Sequence, residues 1–518
     1  MNRFLLSFAL LLLLVDSAAA AQPFQNQWQR YQRPTYSQPT PAFPRPNPAY
    51  SRPNPAYPRP NPAFPRPNYR PLPNPAWNGN ANPNTPGYFR PTQPRPKNSP
   101  NTPAGSFRRV LPDGRVAIIT PFSEKQKREL RQREAQRKKI RNIRLRELAE
   151  QENNDSLYPR LPGEFEKPDA IVISVSDWQP HHFDVLTDLI EKTRGRANVL
   201  ILYNDKNLYD EKRQLPELIK LLAKSGQSGK SYRHIRFMNI NLDTVWLRDF
   251  SPRLAETEDG GAVSMDFFYE PIRPRDDVFP KTWARLTGAS HNLVPWSLQG
   301  GNLLSNGRGL ALTTSRLFEE NRIQRPGKTT EQDEAFVKQQ FMKFCNIKEL
   351  VVLKPLQQET TRHVDMFASF LAPDLVLVAK VDARLDPVNA RILDNNARIL
   401  SRVSVDGKPL RVERIWIPPR RGESWSTYTN IILTDRFVLI PTYQSDQSRY
   451  VQNAVRTYRR LLPKHHVATI DMTSMEKLGG SLHCLSCSLP AFGKLPKGML
   501  TFEQAAAKAG VNGLRNDQ

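Results

Sequence analysis

Proline sets the first limit on what this chain can fold into. The sequence holds 47 prolines in 518 residues, and they crowd its first third. A seven-residue unit runs Arg45-Pro46-Asn47-Pro48-Ala49-Tyr50, returns from Arg52 to Tyr57 and from Arg59 to Phe64, and decays at Arg66-Pro67-Asn68-Tyr69. Proline fixes its own φ and has no amide N–H, so this stretch can be neither helix nor central strand. Residues 21–105 are expected to form an extended, polyproline-II-like arm. A period of seven built on prolines is no coiled coil. Three roles fit such an arm: a solvated spacer, attachment to an envelope surface through its spaced arginines and aromatic rings, or a source of arginine substrates for the domain that follows.

The arm is preceded by an export signal. Arg3 supplies positive charge, Phe4 to Val15 form a short apolar run, and Ala18-Ala19-Ala20 offers a small-residue cleavage site. Residues 1–20 are read as a signal peptide, and the mature protein as secreted or periplasmic with no membrane span. Cys345, Cys484 and Cys487 are too few for a disulfide scaffold in an exported protein. The formal charge is +25. Residues 21–155 carry 24 Lys/Arg against 8 Asp/Glu, so most of the excess lies before the globular part. Such charge favours an anionic envelope surface. No groove-reading motif accompanies it, so nucleic acid is not an expected partner.

Residues 106–160 read as a linker, with a small hairpin between Val110 and Thr120 around Asp113-Gly114. Ser123 is placed to cap a basic helix that follows from Glu124 to Glu152. Its apolar stripe is thin, which suits a solvated tether. The texture turns globular from Leu161 to Phe492. Strands are expected at Ile171 to Val175, Val199 to Tyr203, Arg236 to Met238 and His466 to Ile470, and helices at Asp184 to Lys192 and Leu215 to Ala223. This is an α/β domain long enough for one large core. Residues 493–518 form a short amphipathic tail.

Five islands in that domain carry reactive side chains. They are Trp246-Leu247-Arg248-Asp249, Gln299-Gly300-Gly301-Asn302, His363-Val364-Asp365, Tyr428-Thr429-Asn430, and Gly479-Gly480-Ser481-Leu482-His483-Cys484. If His363 and Asp365 lie on a strand, two residues apart, they face one pocket. Arg248-Asp249 could equally be a structural ion pair. Two carboxylates can hold a planar guanidinium by paired, charge-assisted hydrogen bonds. A cysteine thiolate can then attack the central carbon while a histidine moves protons to departing ammonia and from incoming water. The result is deimination, guanidinium to ureido group. That chemistry needs no cofactor. His363, Asp365 and His483 fall short of the converging ligand set that zinc wants, so no metal is expected.

Taken in order, W-x-R-D-x-x-P, Q-G-G-N, H-x-D, Y-x-N and G-G-x-x-H-C closely resemble the bacterial peptidylarginine deiminase/agmatine deiminase family. The resemblance spans residues 161–492. It implies a five-bladed, pseudo-fivefold α/β propeller with its site in the central channel. It also implies roles: Cys484 as nucleophile, His363 as general acid/base, Asp249 and Asp365 as the guanidinium clamp, Asn430 as support for cysteine and histidine, and Trp246 along the substrate's aliphatic stem. Gln299 and Asn302 fall in the substrate-binding Q-G-G-N island. Agmatine deiminases carry E-G-G where this chain has Gln299, glycine where it has Arg362, and isoleucine-threonine where it has Leu485-Ser486. Phe267-Phe268-Tyr269 leading to Arg273 and Arg275 resembles instead the secreted peptidylarginine deiminase, in which two arginines two apart bind a substrate's terminal carboxylate. The expected reaction is therefore hydrolysis of a C-terminal peptidyl arginine to citrulline through a thiouronium intermediate.

Three rivals stand beside it. One is agmatine deiminase. Another is a non-catalytic envelope-binding protein that retains the scaffold. The third is a thiol-disulfide protein using Cys484-Leu485-Ser486-Cys487, for which the surrounding pattern lacks a thioredoxin-like context. The same spacing admits a Cys484–Cys487 disulfide that would switch the enzyme off.

Overall fold

The computed structural model describes residues 107–110, 116–119, 123–150 and 160–511, save short gaps at 177–182, 207–212, 226–231, 422–424, 445, 447 and 477–478. The signal peptide and the proline-rich arm lie outside the described residues.

Strong β-formers in short runs, alternating with amphipathic helices, give five sheets of one common build. Each has an antiparallel pair of strands, then a crossing helix, then a third strand parallel to the second. The second sheet uses Arg253–Glu256, Ala262–Phe268 and Ser290–Ser297. The third uses Leu304–Ser305, Leu310–Thr314 and Glu349–Leu353. The fourth uses Ala368–Ala372, Leu375–Lys380 and Arg411–Trp416. The fifth uses Ile432–Leu433, Phe437–Thr442 and His466–Asp471.

The first sheet follows the rule with a change of source. Its parallel strands Pro168–Ser174, Asn198–Tyr203 and Ile235–Asn239 come early in the chain. The antiparallel strand, Ser486–Pro490, comes from the far end of the domain and pairs Ser486 with Ile173 and Cys487 with Val172. Early and late sequence are thus joined in one sheet.

The first sheet is apolar on both faces. Ile171, Ile173, Val199 and Ile201 pack under the helix Phe183–Thr193 against Leu186, Leu189 and Ile190. The alternate residues Val172, Leu200 and Leu202 pack on the other face with Phe250, Phe279 and Trp283. Burial on both sides explains why these strands read as unbroken apolar runs. Each such side chain contributes about 1.5–3 kcal/mol when fully buried. The expected strands and helices of this region match the observed ones to within a few residues.

The basic helix, Glu124–Glu150, is capped as expected. Ser123 Oγ accepts from the Gln126 amide, and Gln126 Oε1 accepts from the Ser123 amide at 2.8 Å. It is more than a solvated tether. Arg133 donates to the Pro271 carbonyl, Arg137 pairs with Asp277 at 2.7 Å, and Arg141 donates to the Pro295 carbonyl at 2.9 Å. The Arg137 and Arg141 guanidinium groups lie over the rings of Phe268 and Trp296. Arginines four residues apart share one helix face, and here that face is seated on the second sheet. Among the described residues no helix is long and apolar enough to cross a membrane.

Candidate active site

All five islands occupy the same place in the architecture. Each sits in the loop just before the antiparallel strand that opens a sheet. The short helix Leu247–Phe250 precedes Arg253–Glu256, and the turn Gly300–Asn302 precedes Leu304–Ser305. Val364–Met366 precedes Ala368–Ala372, Asn430 precedes Ile432–Leu433, and Leu482–Leu485 precedes Ser486–Pro490.

The loops are tied to one another. Asn430 Oδ1 accepts from the His483 and Cys484 amides at 2.9 and 3.2 Å. Thr429 donates to the Asp365 carbonyl and Thr427 to the Met366 carbonyl. Thr314 bonds both Asn302 Oδ1 and the Arg362 carbonyl. Gly300–Asn302 packs on Leu247–Phe250, and Arg248 Nε donates to the His483 carbonyl at 3.3 Å.

His363 and Asp365 are not on a strand. His363 caps a single 3-10 turn, Val364–Met366, and this turn, not strand alternation, brings both side chains inward. Nor does Arg248 pair with Asp249. It is fully buried and bonds Glu164 at 2.6 Å instead, which leaves Asp249 to the site. Burial alone would raise the Glu164 carboxyl, but Arg248, His483 and Arg253 outweigh it and hold that carboxyl well below the usual range.

The focus of the site is the space above Gly301. A Cβ on this residue would stand 2.7 Å from His363 Nδ1, 2.9 Å from Asp365 Oδ2 and 3.2 Å from Asp249 Oδ1. Only glycine leaves that volume empty. Among the described residues, Asp249 Oδ1 and His363 Nδ1 beside it, and the second oxygen of Asp365, Oδ1, are buried without a hydrogen-bond partner. Such orphaned groups are costly and therefore uncommon. The other Asp365 oxygen accepts from His483 Nδ1 at 2.8 Å. The Cys484 thiol is buried, with its sulfur 3.3 Å from Asn430 Nδ2.

The cradle's own charges work against one another. Burial, then the Asp365 charge, pushes the Asp249 carboxyl up to about 8. Burial, then Asp365 and Asp249, raises the Cys484 thiol well above its ordinary value. Burial, then Arg316 and His483, holds the His363 imidazolium well below its own. A bound guanidinium would oppose the first two by adding a positive charge beside the carboxylates. Its N–H groups also match the two orphaned carboxylate oxygens.

A family model, Porphyromonas-type peptidyl-arginine deiminase, matches residues 160–490. The chain belongs to that family. Among its relatives, the agmatine deiminase of Stutzerimonas stutzeri is 23% identical over 292 residues, covering 50% of this chain and 77% of the relative. A putative agmatine deiminase of Mycoplasma mycoides is 22% identical over 293 residues, covering 50% and 78%. Two solved structures show the same fold: the agmatine deiminase of Enterococcus faecalis (TM-score 0.52, 16% identity, 64% of this chain and 95% of that one), and a putative peptidyl-arginine deiminase (TM-score 0.51, 20% identity, 65% and 99%). The deiminase is thus a mixed α/β hydrolase acting on guanidino C–N bonds.

Other residues of the deiminase line the cradle's approach or lie near it. Trp246 is half-buried and its ring covers Gly480, where a Cβ would come within 2.0 Å of it. Gln299 donates to Glu270 at 3.2 Å. Asn302 is fully buried and holds Thr314. Arg273 and Arg275 do not stand as a matched pair. Arg273 is buried beside Tyr269 and Glu270 and feels the charge of Asp249, whereas Arg275 is more exposed and turned toward Asp243. Cys484 and Cys487 are both free thiols, the former held by Asn430 and the latter paired on the first sheet. Glu164 and Arg316 were invisible in the sequence. Neither belongs to an island: Glu164 reaches the site through its ion pair with Arg248, and Arg316 through its contact with His363, both formed only on folding.

Proposed function

We propose that this deiminase hydrolyses a guanidino group to a ureido group and ammonia through Cys484. The observation that carries the reading is the set of orphaned acceptors around Gly301, next to a buried thiol. A guanidinium seated there satisfies Asp249 and Asp365 and presents its carbon to sulfur. Cys484 gives its proton to His363 and adds to that carbon. His363 passes a proton to one nitrogen, which leaves as ammonia, and a thiouronium remains. Water, losing a proton to His363, adds in turn; the C–S bond breaks and the thiolate is restored. Asn430 holds the thiol's position. The five sheets, with their loops bonded one to the next, fit a closed five-bladed ring around this centre.

Two substrates fit. The names of the relatives favour agmatine or a similar small guanidine over a peptide. Separation of Arg273 from Arg275 weakens the expected two-arginine carboxylate clamp. The family model's description and the cations Arg273 and Arg316 near Asp249 favour an arginine that keeps its carboxylate. Export, and contact of the basic helix with an anionic envelope surface, belong to the same proposal on sequence grounds. Parallel assays of ammonia release from agmatine, from a peptide ending in arginine, and from one with internal arginine test the reading. Turnover that vanishes in Cys484→Ala supports it; equal release with and without Cys484 refutes it.

A further inference from the structure

Arg316 opens the short helix Arg316–Glu320, just after the second strand of the third sheet. Its Nε donates to Glu320 at 2.6 Å. Its Nη1 donates to the Thr361 carbonyl and lies 3.2 Å from His363 Nε2. Nη2 makes no hydrogen bond among the described residues, and 17% of the side chain is exposed.

A guanidinium can only donate, so His363 Nε2 must be the accepting nitrogen. The proton of the neutral ring is then on Nδ1, which faces the cradle 3.6 Å from Asp249 Oδ1. A ring in this tautomer is idle. To act as a base, Nδ1 needs a lone pair, and it has a proton. To act as an acid, the neutral ring would have to become an imidazolate. Both roles require a proton on Nε2, and Arg316 blocks that position by its N–H and by its charge. The charged groups facing His363 are Arg316 and His483 on the cationic side, and Asp249 and Asp365 on the anionic side.

We infer that Arg316 latches His363, and that a carboxylate on the substrate releases it. The inference rests on the deiminase reading and adds to it a role for Arg316. The Nη1/Nη2 edge of Arg316 is a planar fork that matches a carboxylate by two parallel hydrogen bonds. Glu320 keeps Nε as the pivot. When the fork turns to a substrate carboxylate, His363 Nε2 is free to take a proton from water, and Nδ1 can then give and receive. A guanidine with no carboxylate reaches the cradle but leaves the latch shut. Arg316 is in this sense a specificity-determining residue.

The test uses the full chain, wild type, Arg316→Gln and Arg316→Lys, on a peptide ending in arginine, its C-terminal amide, and agmatine. For wild type, kcat/KM should favour the free acid over the amide by about tenfold or more, the scale of one charge-assisted contact. In Arg316→Gln the ratio should fall to near one, through higher kcat on the amide and agmatine and higher KM on the acid. The pH profile of kcat should move up by about one unit, because removing a neighbouring cation favours the imidazolium. Arg316→Lys, which keeps the charge but not the fork, should fall between. Thermal unfolding identifies a variant that has lost its fold, and the lysine variant then carries the comparison. An unchanged acid-to-amide ratio, or an equal loss on all three substrates with an unmoved pH profile, overturns the latch. If wild type turns over none of the three, the deiminase reading fails first and takes the latch with it.

Discussion

Replacing Asp249 by asparagine should stabilise the free protein while abolishing its activity. The Asp249 carboxyl is pushed from 3.8 to about 8, by burial first and then by the Asp365 charge. The unfolded chain releases this proton near pH 4, whereas the folded chain keeps it until near pH 8. Ionisation therefore favours the unfolded state, and stability falls as pH rises from about 4 to about 8 and is level above that. One unit corresponds to about 1.36 kcal/mol, so by pH 7 a fully enclosed group would cost about 4 kcal/mol. The side chain is 11% exposed, and water at that edge brings the expected cost to about 2 kcal/mol. Asparagine keeps the shape and removes the charge. For a domain of this size the gain is roughly 3–6 °C in melting temperature. Melting curves of wild type and Asp249→Asn in matched buffers should separate progressively from pH 5 to pH 8. A saturating guanidinium ligand should narrow the gap by stabilising wild type. An asparagine variant no more stable than wild type at pH 8, or a gap that closes as pH rises, would refute the idea that two facing carboxylates strain the cradle.

Three further outcomes follow from the geometry. Gly301→Ala fills the cradle between His363, Asp365 and Asp249, so kcat/KM should drop by roughly 100-fold or more, and the buried side chains it displaces should lower stability by about 1–3 kcal/mol. Cys484 should react slowly with iodoacetamide and faster toward alkaline pH; quantitative thiol labelling decides it, and a rate indifferent to pH counts against the charge argument. Arg137→Ala removes the ion pair to Asp277, whose Oδ1 also accepts the Tyr269 amide beside Arg273. The loss of about 1 kcal/mol should appear as a several-fold rise in KM with little change in kcat.

Much of this was legible in the chain. Doubly buried strands such as Pro168–Ser174 announce themselves as apolar runs, and glycine pairs mark two of the five islands. The islands also carry a period: residues 249, 301, 365, 430 and 484 lie 52, 64, 65 and 54 apart, about one sheet with its helix each time. What could not be read was direction. The H-x-D spacing suggests strand alternation, but a 3-10 turn achieves the same convergence. Arg248 and Asp249 are neighbours in sequence, yet Glu164 claims the arginine from a distant segment. The basic helix looked solvated because its contacts are made by arginines, which hydropathy counts as water-loving even when their stems and planes are packed on Phe268 and Trp296.

The strand Ser486–Pro490 begins two residues after Cys484 and is the last in chain order of a sheet that begins with Pro168–Ser174. The thiol's position therefore depends on the final β-strand finding its partner more than three hundred residues back. A chain still emerging from the ribosome, or one clipped ahead of that strand, has both carboxylates and the histidine but no nucleophile in place. Such a protein would pass through its own synthesis inert, and acquire its chemistry in a single late step of assembly.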